Sequence, residues 1–130
     1  MSSFRLLNPP TLPAPAGYSQ IGVIGAGELI VIAGQVALDA QGTLVGPDDF
    51  RAQAIQVFRN LLAALDAVGA TPRNVVKLTT FVTDISQLPA FRAARDMFLD
   101  PAAPPTSTLV QVARLFRPEF LIEVEAIAVR

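Results

Sequence analysis

The stretch PPTSTLVQVARLFRPEFLIEVEAIAVR, Pro104 to Arg130, decides the fold, because Leu121 to Val129 within it reads as a strand with two chemically different faces. Side chains alternate along a strand, so Ile122, Val124, Ala126 and Ala128 make one face wholly apolar. The other face carries Leu121, Glu123, Glu125 and Ile127. A carboxylate buried without a partner is expensive. The acidic face therefore meets solvent, meets a cation, or lines a cleft in which an acid has work to do. Upstream, Ser107 to Val112 reads as a second strand.

Working back from this stretch, Asn74 to Thr83 (NVVKLTTFVT) is a β-branched run and predicts another strand. The positions Phe50, Ala54, Val57, Leu61, Leu65 and Val68 recur at steps of three and four residues and predict a helix. Asp48 or Asp49 caps its start and Gly69 ends it. A shorter helical pattern runs through Leu88, Phe91, Ala94 and Phe98, with Pro89 tolerated in the first turn and Pro101 beyond the end. Ile21–Ile24 and Glu28–Ala33 read as a hairpin about Gly25-Ala26-Gly27. The stretch before them, with Pro9, Pro10, Pro13 and Pro15, predicts an extended arm over residues 1–16, with a possible strand at Phe4 to Leu7. The order is β-β-α-β-α-β-β, an α+β arrangement, and 130 residues suit one domain spanning 1–130.

Two helices cover only one face of such a sheet. The alternation in 74–83 sets Val76, Leu78 and Val82 on one face and Val75 and Phe81 on the other, so both faces hold apolar groups. Leaving several hundred Å² of apolar sheet in water forfeits on the order of 10 kcal/mol at about 25 cal/mol per Å². The second face is expected to meet another subunit.

Composition narrows the chemistry. Hydrophobic residues make up 52% of the chain and mean hydropathy is +0.46, yet every apolar run is broken by Gly, Pro or charge before reaching membrane-helix length. No basic segment followed by an apolar one opens the chain, and a soluble, cytoplasmic protein is expected. Cys and His are absent, which removes thiol nucleophiles, imidazole bases, disulfides and the usual zinc sites. Attention falls on carboxylate, hydroxyl and guanidinium groups. Ten Lys and Arg against eleven Asp and Glu, scattered and without interleaved aromatics, argue against a nucleic-acid partner.

The segments GYSQ (17–20), AGQVALD (33–39), NVVKLTTFVTD (74–84), VQVARL (110–115) and IEVEAIAV (122–129) occur in the order and spacing of the RidA/YjgF/YER057c/UK114 family, which the chain resembles from residue 17 onward. The resemblance implies a chorismate-mutase-like fold of the Bacillus type, with a mixed sheet and two helices on one face. It also implies a homotrimer whose inter-subunit clefts hydrolyse small enamines or imines such as 2-aminoacrylate, with no cofactor.

Carried over residue by residue, the resemblance is uneven. Tyr18 matches the family's aromatic and Glu123 its acid. Active members carry an arginine that clamps the substrate carboxylate, and here Ser107 stands in its place. The serine of the family's SGQ is Ala33, and the asparagine of its second helix aligns with Arg95. Catalysis would fall to Glu123 and Tyr18, and substrate binding to Ser107, Thr108, Arg114, Ala33 and Gly34, with no metal. Glu123 is read either as a proton carrier or as a solvated or ion-paired acid, Tyr18 as a wall and donor or as packing. Arg114, like Arg95, is a candidate replacement for the lost cation, or else a surface residue. An altered imine deaminase and a non-catalytic metabolite-binding protein of the same fold both remain open. Ribonuclease activity without His and at a pI near 5.2 has little support.

Overall fold

The computed structural model describes residues 3–130. Its strands are β1 (Phe4–Leu7), β2 (Ile21–Ile24), β3 (Leu29–Gln35), β4 (Val75–Val82), β5 (Thr106–Gln111) and β6 (Ile122–Val129). Helices α1 (Phe50–Ala67) and α2 (Leu88–Asp96) complete the set, with short 3-10 turns at Pro72–Asn74 and Ile85–Gln87.

Four strands form a mixed sheet in the order β3-β6-β4-β5. β6 runs antiparallel to both neighbours, whereas β4 and β5 are parallel, joined by the crossover that contains α2. Both helices lie on the face that β6 presents as Ile122, Val124, Ala126 and Ala128. All four residues are buried, together with Val57, Phe58 and Leu61 of α1 and Phe91 and Ala94 of α2. The apolar spacing anticipated for the long helix thus meets the apolar face anticipated for the last strand.

The cap on α1 is Asp49, whose side chain accepts from the Ala52 amide at 3.0 Å. Asp48 instead takes a left-handed turn at φ 56°. At the other end Gly69 (φ 70°) closes the helix, and the Arg130 side chain donates to the Val68 carbonyl, tying the C-terminus to this helix end.

Two expectations are corrected. β2 and β3 do not pair as a hairpin: β2 pairs antiparallel with β1, from Phe4 opposite Ile24 to Leu7 opposite Ile21, and β3 pairs with β6. At the glycine-rich link the chain is captured by its own terminus, with reciprocal backbone bonds between Glu28 and Arg130 at 2.8 and 3.0 Å, so the turn separates two sheets. The strand anticipated at Phe4 to Leu7 is present as β1, which forms a two-stranded ribbon with β2, and the Pro-rich residues 8–16 that follow it contain no strand. The second correction concerns β4. The register slips between Val75 and Lys77, so Val75 joins Leu78 and Val82 toward the helices, while Val76 turns away beneath Gly22 of the ribbon. Strict alternation had put those two valines on the wrong faces.

Two buried polar groups on this framework behave oppositely. Gln53, fully buried, donates to the carbonyls of Gly46 and Glu119 at 3.1 and 3.0 Å and accepts from the Leu121 amide at 2.9 Å. It fixes the chain just before Glu123. The Thr80 hydroxyl is equally buried but has no partner among the described residues. Urea denaturation should show Gln53→Leu losing about 2–4 kcal/mol, because two carbonyls and an amide lose their partner, and Thr80→Val gaining up to about 1 kcal/mol.

Candidate functional site

The face of the sheet turned away from the helices carries the acids. Across β5, β4 and β6, Val110, Phe81 and Glu123 share one row of the register, and Thr108, Thr79 and Glu125 share the next. Apolar groups dominate the rest of this face: Leu29 and Val31 of β3 are 58% and 72% exposed, with Val110, Phe81 and Ile127 nearby. Phe116, in the loop that follows β5, is 81% exposed. The two-faced sheet read from the sequence is therefore present, with one face covered and the other largely open.

Glu123 is half-buried, and its position depends on Gly34. β3 bulges between Ile32 and Gln35, which places Ala33 and Gly34 beside the acidic end of β6. The Glu123 side chain lies directly over Gly34. A Cβ at residue 34 would stand 2.8 Å from the Glu123 carboxyl carbon and 2.9 Å from its Cγ. Glycine is thus the residue that admits the acid, a closer role than supplying a backbone donor. Among the described residues the Glu123 carboxylate has no ion-pair partner and no hydrogen-bond donor. Glu125 is exposed, and Ala33 presents only a methyl group on the bulge.

Ser107 is elsewhere. It pairs with Leu78, in the row that includes Ala126, so it points to the helix side of the sheet while Thr108 points to the open side. These neighbours cannot act together on one group. β4 lies between β5 and β6. Ser107 and Glu123 are thus separated by about 10 Å of strand spacing as well as by the sheet itself. One chain does not bring them together.

Tyr18 approaches the Ser107 end. The segment GYSQ packs along the start of β5: Ser19 makes a parallel bridge to Thr106, its amide donates to the Pro105 carbonyl at 3.0 Å, and its hydroxyl donates to the Pro104 carbonyl at 2.6 Å. Gln20 is held by the Asn8 side chain and by the Pro13 carbonyl, at 2.7 and 2.9 Å. Tyr18, half-buried, is thereby set beside the beginning of β5 in its own chain.

The two arginines considered as substitutes for a lost cation differ. Arg114 is exposed and donates to the Leu115 and Phe116 carbonyls beyond the far end of β5, which fits its surface reading. Arg95 is 8% exposed at the C-terminal end of α2, with Nε 3.0 Å from Asp96 and Nη1 donating to the Gly17 carbonyl at 3.0 Å. Sequence reasoning named Arg95 without a place for it. Its spacing, four residues past Phe91 and so on the same face of an amphipathic helix, was the available signal.

A cavity of about 780 Å³ lies between β1 and the turns at Thr71–Arg73 and Phe98–Ala103; it reaches Pro105 but is lined by none of Glu123, Tyr18 and Ser107. Its walls are mainly apolar, so volume and site chemistry do not coincide here. No cluster of three or more Asp and Glu residues suited to a metal ion occurs among the described residues, and no helix is long and apolar enough to cross a membrane.

The contact of Glu123 with Gly34 is open to a double-mutant cycle. Gly34→Ala should destabilise the protein by about 1–3 kcal/mol through overpacking, and most of that loss should vanish in a Glu123→Ala background. Equal losses in both backgrounds, measured by urea denaturation, would separate the two residues.

Residues 10–130 match the family model described as endoribonuclease L-PSP. A RutC family protein of Synechocystis is 36% identical over 129 residues, covering 98% of this chain and 97% of its own. A Salmonella typhimurium protein named 2-iminobutanoate/2-iminopropanoate deaminase is 35% identical over 120 residues, 91% of each chain. Among solved structures, a Yersinia pestis protein of the conserved Rid family, described as of unknown function, superposes with a TM-score of 0.91 at 39% identity, covering 98% of this chain and 99% of that one. With a family model matched over residues 10–130 and relatives of this identity covering nearly the whole chain, the chain belongs to the RidA/YjgF/YER057c/UK114 family.

Proposed function

We propose that the protein is a hydrolase of the RidA type, converting a small 2-imino-acid-like enamine or imine to the 2-oxo compound and ammonia in clefts between the subunits of a chorismate-mutase-like homotrimer. The observation that carries this reading is Glu123: a carboxylate without a partner among the described residues, half-buried over Gly34 on the open face of the sheet. Relatives named 2-iminobutanoate/2-iminopropanoate deaminase support the reaction class.

The chemistry asks little of the protein beyond a proton carrier and a shaped pocket. The enamine tautomerises to the imine by gaining a proton at carbon and losing one at nitrogen. Water then adds across C=N, and the carbinolamine expels ammonia as its hydroxyl proton leaves. Glu123 takes a proton from the attacking water and returns it to the departing nitrogen. Tyr18 forms a wall of the pocket and donates from its hydroxyl.

Assembly follows from the placement of these groups. Ser107 and Glu123 lie on opposite sides of one sheet, so a substrate touching both must lie between chains. The exposed Leu29, Val31 and Val110 supply the apolar surface for such a contact. With Ser107 where arginine-bearing relatives clamp a carboxylate, substrate preference differs from theirs. That same residue favours one other reading, a trimer that binds a metabolite without turning it over.

Light scattering at micromolar concentration should give three times the 13.8 kDa of one chain. A monomer mass that persists as concentration rises would remove the inter-subunit cleft. Glu123→Gln should lower ammonia release from the imine or enamine that wild type turns over best in a substrate screen by about 10²–10⁴ with little change in stability. Turnover equal to wild type would end the catalytic assignment, and binding without turnover in either protein would favour the metabolite-binding reading.

A further inference from the structure

Arg95 has more hydrogen-bonding capacity than its surroundings use. A guanidinium offers five N–H donors in a fixed fork. Here Nε serves Asp96, whose side chain is 41% exposed, and Nη1 serves the Gly17 carbonyl. Nη2 has no partner among the described residues, although the side chain as a whole is only 10% exposed. The Phe91 ring, 5.9 Å from the guanidinium carbon, helps to enclose the group.

The free nitrogen has a definite neighbour. A Cβ on Gly17 would sit 3.1 Å from Nη2, and Gly17 itself is exposed with φ 79°, so the unused edge of the guanidinium lies just beneath a glycine at the surface. Two residues on, Ser19 is bonded to Pro104, Pro105 and Thr106. Since two residues span at most about 7 Å, the start of β5, and with it Ser107, lies within a dipeptide's reach of the chain that Arg95 holds. Tyr18 sits between the two anchors.

We propose that Arg95 is the specificity-determining residue of the cleft, its Nη2 edge receiving the substrate's carboxylate beside Tyr18 and Ser107. This rests on the small imino-acid substrate proposed above and names the group by which that substrate is recognised. A buried cation with one monodentate acid partner favours a second anion, and a carboxylate matches the planar fork better than a neutral group does. Arg95 is held in place by its own loop. The carboxylate therefore docks from the α2 side of β5, a position that a side chain on β5 would not provide, and Ser107 leaves room for it.

Binding tests this without requiring turnover. Calorimetric titration with 2-oxobutanoate, the oxo acid formed by hydrolysis of 2-iminobutanoate, should detect binding to the wild-type protein. Arg95→Gln should weaken it by about 30-fold or more, Arg95→Lys by less, and Arg114→Gln by less than about 2-fold. The neutral 2-oxobutanamide should bind wild type at least about 30-fold more weakly than the acid, a comparison that requires no variant to fold. Equal affinity for acid and amide, undiminished binding by Arg95→Gln, or no binding of 2-oxobutanoate to wild type would each overturn the proposal. If Arg95→Gln loses binding while Glu123→Gln keeps both binding and turnover, carboxylate recognition stands and the catalytic assignment falls.

Discussion

The rest of the structure depends on the position of β6, an antiparallel strand hydrogen-bonded on both edges, whose alternate residues must satisfy two different environments. Its even positions, Ile122 to Ala128, are at most 3% exposed against α1 and α2. Fixing those four toward the helices leaves no freedom for the odd ones: a slip of one residue would bury two carboxylates and expose the core. Glu123 and Glu125 are thus directed to the open face by the burial of their neighbours. Gln53 reinforces the same register from outside the sheet, since it holds the Leu121 amide at the point where the chain enters β6.

The legible part of this fold was the part governed by periodicity. The helical spacing from Phe50 to Leu65, the alternation from Ile122 to Ala128, and the prolines that end the second helix each lead to one answer, because burial of an amphipathic pattern has one favourable outcome. Pairing was less legible. Glycines at 25 and 27 with apolar runs on either side make a hairpin signal, and nothing local records that Glu28 bonds instead to Arg130, more than a hundred residues away. The exchange of Val75 and Val76 has a similar origin, because a bulge is set by the competition of two neighbouring strands and by Gly22 lying close above. Local pattern chooses element type; distant hydrogen bonds choose partners.

The candidate site was legible by residue identity and not by arrangement. Glu123, Gly34 and Tyr18 were singled out as candidates from the sequence, but the structure has Gly34 making room for Glu123 and Tyr18 held near Ser107, not near Glu123. Ser107 and Thr108, adjacent in sequence and grouped by chemistry, face opposite sides of the sheet. Sequence order cannot expose such a separation unless strand register is known.

Arg95 shows how the ribbon, the second helix and the edge of the sheet become one unit. α2 precedes β5 in a parallel crossover, so its C-terminal end returns to the level at which β5 begins. A long cation in the last turn of that helix can therefore reach a segment lying on the edge of β5, and Arg95 does so at the Gly17 carbonyl. Gly17 tolerates the approach because it lacks a Cβ and has a positive φ, and Ser19 then spends both its amide and its hydroxyl on the turn leading into β5. The loop is over-determined by these bonds although most of it is near solvent. A loop fixed in this way has already lost much of its conformational entropy on folding, so any group that meets it finds donors held in place and does not have to order them.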